Sequence, residues 1–249
     1  MEVEVTNNIS KYDEYKRLIL KRDNLNKEAF RYQEDYYRKF GDYIKSLFEL
    51  KIECISLKKK ISYCQMCVNK NEKIIKTNLD KHIEIIMKDY YVELDNLIKH
   101  VRISKSATSI SLDDLNKVKK IYRYIAKKIH PDMHINNFDD NVKELWNRTM
   151  IAYKCNDLKE LEKIEVLVNS LVTNDEIYIE DIDDRIKDIK EEIDLIVKNV
   201  PYQYKYLLED IIEIENKIDD FNREIDEYKA YQKELKSILS NYNIEHYQS

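Results

Sequence analysis

Residues 47–68 read LFELKIECISLKKKISYCQMCV, and their apolar side chains recur at alternating spacings of three and four residues. Such a repeat places the apolar side chains along one side of an α-helix, as in coiled coils. The stretch therefore predicts a long helix that packs against another helix along this side. The apolar positions are Leu47, Leu50, Cys54, Leu57, Ile61, Cys64 and Val68.

The composition favours helices in the rest of the chain as well. The 249 residues include one glycine and two prolines, whereas sheets need tight turns and phosphate-binding loops need clustered glycines. Charged residues make up 37% of the chain and hydrophobic residues 43%, a mixture that suits amphipathic helices. We therefore expect an all-α protein and exclude dinucleotide-binding and P-loop folds.

The same apolar repeat extends along two long arms. We predict an N-terminal tail over residues 1–10, an N-terminal coiled-coil arm over 11–105 and a C-terminal coiled-coil arm over 174–249. The repeat loses its phase around residues 69–72, and Pro201 cannot lie inside a regular helix. Each arm is therefore expected to be interrupted once.

The two arms carry opposite net charges. Residues 11–105 include 22 basic and 15 acidic side chains, a net charge of +7, and residues 174–230 include 8 and 19, a net charge of −11. Opposite charges favour pairing between the arms. We expect a long antiparallel coiled-coil hairpin within one chain, with residues 106–173 at its tip. The charge asymmetry argues against the alternative, a parallel homodimer, because like-charged arms would then lie side by side. Whether the protein is a monomer or a homodimer stays open.

The middle segment, residues 106–173, has the sequence signals of shorter helices. Ser111 followed by Asp114 fits a capping box at the start of a helix, and Pro131 ends that helix after about 18 residues. A second helix is expected around Val142 to Cys155. The first helix is strongly basic, and its predicted exposed face carries Lys117, Lys119, Lys120, Arg123, Lys127 and Lys128.

The basic helix continues without a gap into a histidine–proline–aspartate loop. Residues 118–132 read VKKIYRYIAKKIHPD, and the following helix carries Leu145-Trp146 and Ala152-Tyr153. This arrangement resembles the J-domain of the DnaJ co-chaperone family, in which a basic second helix leads into an H-P-D loop and the third helix carries an aromatic residue and an Ala-Tyr pair. The resemblance covers less than a fifth of the chain. It implies a small J-domain-like helical pair at the tip.

The resemblance also implies a function and a set of contact residues. J-domains dock on a DnaK-type chaperone ATPase and promote its ATP hydrolysis, so this chain would be a co-chaperone whose arms bind or position an unknown client protein. His130, Pro131 and Asp132 would trigger hydrolysis, and Asp132 would accept a hydrogen bond from an arginine of the partner. The residues expected to contact the partner's acidic surface are Lys119, Tyr122, Arg123 and Lys127.

The sequence departs from the DnaJ pattern in several ways. The Gly/Phe-rich linker and the cysteine-rich zinc region are missing, and no first-helix signature precedes Ser111. We expect the end of the N-terminal arm to take the place of that helix. Met133 follows the loop where a basic residue is common, and Thr149 occupies a position that is usually aliphatic. We expect His130 and Asp132 at the surface, so that their replacement changes binding but leaves stability almost unchanged.

Other functional classes have weaker support in the sequence. No nucleophile, acid–base pair or metal cage is apparent, so we expect neither an enzyme nor a cofactor. The two cysteines of the C-x-x-C pair, Cys64 and Cys67, fit the apolar side of a helix better than a metal or redox site. The net charge of −5 and the acidic N-terminus predict a cytoplasmic protein without nucleic-acid or membrane partners.

Two alternatives to the co-chaperone stay open at this point. The chain is a coiled-coil scaffold if its J-like tip is inactive, and an adaptor if that tip binds a different acidic protein. In a purely structural interpretation of these residues, His130 would simply end a helix, where the helix dipole favours an imidazolium, and the lysines would form a solvated face.

Overall fold

The structure, a computed structural model of the chain, describes residues 2–106, 110–133, 140–169 and 182–245. These residues are predominantly helical, and the predicted all-α class is confirmed. A short parallel pair joins strands β1 (Ile74–Ile75) and β2 (Ile244–Glu245). The helices are α1 (Glu2–Asn69), α2 (Lys76–Ser106), α3 (Leu112–Ile129), α4 (Asp140–Cys155), α5 (Leu158–Asn169), α6 (Ile182–Lys198), α7 (Tyr204–Glu209) and α8 (Ile211–Ser240).

The chain divides into two compact units. The first unit comprises Met1–Gln33 and Thr108–Tyr206, and the second comprises Glu34–Ala107 and Leu207–Ser249. Helix α1 contributes its first part to one unit and its second part to the other, and it includes residues 2–10, which the sequence analysis assigned to a tail. The first unit therefore combines the middle segment with parts of both predicted arms.

In the second unit, the N-terminal arm folds back on itself. Helix α1 ends at Asn69, where the apolar repeat loses its phase, and Asn71 has a positive φ of 55°. Helix α2 then runs antiparallel to α1, because Ser104 bonds to Glu34 near the end of α2 while Leu79 packs with Cys64 near its start. The predicted interruption is confirmed, and it reverses the direction of the chain.

The antiparallel pairing predicted between the two arms is wrong. Helix α8 follows α1 in the same direction, since residues farther along α1 meet residues farther along α8. Oppositely charged side chains of the two arms do form ion pairs, as Lys51 and Glu224 do at 2.7 Å. An apolar repeat and a net charge are the same when they are read in either direction, so they predicted the partner but not its orientation. The successive contacts pair Phe40 with Phe221, Cys54 with Tyr228, Leu57 with Leu235 and Gln65 with Tyr242.

Helix α6 also follows α1 in the same direction, within the first unit. Lys11 pairs with Asp183 at 2.6 Å, and Arg22 pairs with Glu192 at 3.1 Å. Helix α6 ends at Lys198, so the interruption expected at Pro201 is confirmed.

Gly41 allows a close approach of α1 and α2. A Cβ atom at this position would lie 2.6 Å from Cγ1 of Val101, whose side chain is buried. Replacing Gly41 by alanine adds helix propensity worth about 1 kcal/mol, but overpacking against a stiff β-branched side chain costs about 1–3 kcal/mol. We expect the Gly41→Ala variant to be less stable by about 1 kcal/mol in urea unfolding.

A second substitution tests the cause of this loss. Val101→Ala removes the two methyl groups that the new Cβ would meet, so Gly41→Ala should cost less in the Val101→Ala background than in the wild-type chain. A stabilising effect of Gly41→Ala alone would contradict the close approach.

Candidate functional site

Helix α3 forms as its sequence signals predicted. Ser111 is the N-cap, and its hydroxyl oxygen accepts a hydrogen bond from the backbone N–H of Asp114 at 3.1 Å. The helix has 18 residues and ends at Ile129, with His130 as its C-cap, directly before Pro131. The N-cap at Ser111 and the helix length are confirmed, and the H-P-D tripeptide begins at the end of the helix.

A three-helix core positions this helix end. Tyr122 of α3 stacks on Tyr153 of α4 with ring centroids 3.7 Å apart, and Trp146 of α4 lies beside both Tyr122 and His130. Thr149 is fully buried and satisfies its hydroxyl by donating to the carbonyl of Leu145. The sequence analysis did not identify α5, whose buried side chains complete this core. They are Leu161, Ile164 and Val168.

The first part of α1 packs against the three-helix core, where we expected the end of the N-terminal arm. Leu20 packs against the three-helix core, and Asn24 accepts a hydrogen bond from the Tyr153 hydroxyl at 2.5 Å. The ammonium group of Lys27 lies 3.8 Å from the centroid of the Tyr153 ring. We expected the residues just before Ser111 to replace the missing first helix, and this expectation is corrected. Residues 20–27 of α1 pack against the three-helix core instead.

The central polar residue of the site is Asp23, which the sequence analysis missed. Its side chain is buried and accepts a hydrogen bond from the Tyr122 hydroxyl at 2.5 Å. The Nε2 atom of His130 lies 3.2 Å from the same carboxylate oxygen, and Arg22 pairs with the other oxygen at 3.1 Å. Burial raises the pKa of Asp23, but the hydrogen bond from His130, followed by the hydrogen bond from Tyr122 and the charge of Arg22, lowers it by more. Asp23 is therefore an ionised group on which α1, α3 and the loop converge.

A sequence signal for Asp23 did exist. Tyr15, Ile19, Asp23 and Lys27 recur at a spacing of four and lie on the buried side of α1. Two charged residues that interrupt an apolar side of a helix indicate buried polar partners. That signal predicts a polar cluster, but it does not show which residues complete it.

His130 and Tyr122 lie in the interior, which corrects two expectations. Each residue is only 1% exposed. The Nδ1 atom of His130 accepts a hydrogen bond from the backbone N–H of Asp132 at 3.0 Å, which fixes the turn of the loop. Tyr122 has no free surface for a contact with a partner, and replacement of His130 would remove buried hydrogen bonds and lower stability.

Asp132 differs from His130 in being accessible. Its side chain is 36% exposed, and its Oδ2 atom lies 2.9 Å from the guanidinium of Arg22. Burial lowers the pKa of Arg22, but the charges of Asp23 and Asp132 and further hydrogen bonds raise it by more, so Arg22 is a permanent cation. Asp132 therefore pairs with an arginine of its own chain, whereas the arginine predicted from the sequence belongs to the partner chaperone.

Most of the predicted basic face of α3 is accessible. Arg123 and Lys127 are exposed, as are Lys117 and Lys120, whereas Lys119 is half-buried and Pro131 is half-buried in the loop. Lys119 lies near Lys27 of α1, since burial first and then the charges of Lys119 and Arg31 lower the pKa of Lys27 to about 8. The exposed face is thus bordered by further positive charge from α1.

The cysteine pair lies outside this site. Cys64 and Cys67 are buried in the second unit beside Leu79 and Ile83, so the predicted packing role is confirmed. Within the part of the chain that the structure describes, no three His, Cys, Asp or Glu side chains come together as a metal site would require. Among the same residues, no helix has both the length and the apolar character needed to span a bilayer.

Comparisons with family models, with curated proteins and with solved structures found no match to this chain. The site is therefore interpreted from its geometry.

Proposed function

We propose that the chain is a J-domain co-chaperone that docks on a DnaK-type chaperone and stimulates its ATP hydrolysis. The observation that carries the proposal is the capped basic helix α3, which leads without a gap into a loop ordered by the hydrogen bond between His130 and Asp132. The Tyr122–Tyr153 stack and Trp146 pack around that loop and support the same reading.

The proposed role of each residue follows from the exposure of its side chain. Arg123 and Lys127 present positive charge to an acidic surface of the chaperone. The half-buried Lys119 lies at the edge of this basic face of α3. Asp132 offers the accessible carboxylate of the loop, whereas His130 and Pro131 set its position. The protein would act in the cytoplasm without catalysis of its own, and the remaining helices would bind or position a client.

The experiment that tests the proposal is a steady-state ATPase assay. The rate of a purified DnaK-type chaperone is measured with and without the protein, at increasing concentrations. Stimulation that saturates with concentration supports the co-chaperone. Failure to stimulate any DnaK-type chaperone encoded in the same genome would reject it.

Charge reversal at Arg123 should weaken docking. The Arg123→Glu variant places a carboxylate on the exposed basic face, and repulsion from an acidic partner should raise the concentration needed for half-maximal stimulation by about tenfold at low salt. The difference from the wild-type protein should shrink as salt is added, since exposed charges are screened over about 8 Å at physiological ionic strength.

The matched control for this variant is Lys159→Glu. Lys159 is an exposed residue of α5, and its replacement changes the net charge of the protein by the same amount. Equal effects of the two substitutions would show that net charge, rather than the α3 face, governs the association.

A scaffold with an inactive J-like tip is the second candidate. It is favoured by the ion pair between Arg22 and Asp132, because this pair occupies the carboxylate that a chaperone would need. A scaffold would show no stimulation in the ATPase assay in wild-type or variant form.

A further inference from the structure

The ion pair between Arg22 and Asp132 joins the H-P-D loop to helix α1. The guanidinium of Arg22 reaches three carboxylates, those of Asp23 at 3.1 Å, Asp132 at 2.9 Å and Glu192 at 3.1 Å. A planar guanidinium with five donors suits such a shared position better than a compact ammonium group. The loop, α1 and α6 are therefore connected through one cation.

Apolar contacts hold the other side of the loop against the same two helices. Met133, the residue after Asp132, is 1% exposed and packs with Tyr15 and Ile19 of α1 and with Ile186 and Ile189 of α6. The described part of the loop is thus seated on α1 and α6, and the Asp132 side chain is partly open to solvent.

We propose that the Arg22–Asp132 ion pair shields the H-P-D loop and lowers the affinity for the chaperone. This inference rests on the proposed function. A cation of the partner that binds the Asp132 carboxylate must compete with Arg22, so only the fraction of molecules with a released Asp132 is competent to dock.

The other partners of Arg22 and the exposure of Asp132 favour the release of Asp132 to a partner. When Asp132 is released, Arg22 keeps Asp23 and Glu192 as partners, so its charge stays compensated. Asp132 is more than a third exposed and can be hydrated in the interval before a partner binds. An ion pair with such exposure contributes about 0–1 kcal/mol to stability, which permits release without unfolding.

Two variants at Arg22 test the shielding, and neither needs an identified partner. Arg22→Lys keeps a positive charge beside the buried Asp23 but cannot span several carboxylates, and Arg22→Gln removes the charge altogether. Accessibility of Asp132 is measured by labelling carboxylates with glycine ethyl ester and a water-soluble carbodiimide, followed by mass spectrometry. We expect faster labelling of Asp132 in both variants.

Arg17→Lys is the matched control, because Arg17 lies on the same helix and donates to the carbonyl of Asp13 rather than to the loop. This variant should label at Asp132 as the wild-type protein does. Unchanged labelling of Asp132 in an Arg22 variant that keeps the fold would overturn the proposal. Thermal melting shows which of the two variants keeps the fold, and the labelling result is taken from that variant.

The functional readout is the concentration of protein that half-maximally stimulates a purified DnaK-type chaperone. If the ion pair competes with docking, Arg22→Lys should lower this concentration about fivefold, the lower end of typical coupling between linked sites. A higher concentration would overturn the proposal, because Arg22 would then position Asp132 for the partner. If labelling rises but neither wild-type nor variant protein stimulates, the co-chaperone function fails and the proposed competition fails with it, while the shielding of Asp132 stands as a separate result.

Discussion

Replacing Asp23 by alanine should lower the free energy of unfolding by about 3–5 kcal/mol, because it breaks a buried ion pair by removing one partner. The substitution leaves Arg22 and His130 without their shared carboxylate and the Tyr122 hydroxyl without its acceptor. Helix α1 loses its contact with His130 at the same time, while the pair between Arg22 and Asp132 remains. The loss should appear in urea unfolding followed by circular dichroism.

Two further variants make this prediction specific. Tyr122→Phe removes one donor and keeps the charges, so it should cost about 1–2 kcal/mol. Asp42→Ala removes an exposed carboxylate from the same helix, where it pairs with Lys105, and should change stability by less than about 1 kcal/mol. A loss below 1 kcal/mol for Asp23→Ala would mean that Asp23 is not the anchor of the site.

Asp23 should also make the free energy of unfolding depend on pH in the acid range. The folded-state pKa of Asp23 is lower than its ordinary value, so its contribution is fully present above the unfolded pKa of about 3.9. This contribution is lost as the pH falls from there through the folded pKa, because the unfolded chain binds the proton first. The stability of an Asp23→Asn variant should therefore fall less steeply in this range.

Local signals in the sequence predicted the local structure well. The cap at Ser111 and the stop at Pro131 defined α3, because a capping side chain and a missing N–H act within one helical turn. The interruptions of the two arms were also visible, since a break in an apolar repeat is a local property. Helix α5 was not predicted, although Leu161, Ile164 and Val168 recur at helical spacing in the sequence.

Contacts between distant segments were not available from the sequence. The apolar repeat did not show that α1 has two neighbours, α2 after the reversal at Asn69 and α8 in the same direction as α1. The burial of His130 depends on Asp23, which is 107 residues away in the chain. The H-P-D tripeptide itself was visible, but its attachment to α1 through Arg22 and Asp23 required the folded chain.

Replacing Asp132 by asparagine should abolish stimulation of a DnaK-type chaperone while the fold persists. The amide is isosteric but carries no charge, so it cannot form the charge-assisted pair that a cationic partner would make. Loss of one member of a desolvated charge pair costs about 2–5 kcal/mol, which weakens binding by at least about 30-fold. The ATPase rate in the presence of the variant should therefore be close to the unstimulated rate at the concentration where the wild-type protein stimulates half-maximally.

Stability separates this effect from unfolding. Asp132 is partly exposed and its pair with Arg22 is screened, so Asp132→Asn should shift the free energy of unfolding by less than about 1 kcal/mol, in contrast to His130→Gln, which removes buried hydrogen bonds. Asp183→Asn is the matched control, because it neutralises another carboxylate that pairs with α1, at Lys11, and lies outside the loop. If Asp132→Asn stimulates as well as the wild-type protein, the loop carboxylate does not act on the chaperone, and the chain is better explained as a scaffold in which Asp132 only fastens the loop to Arg22.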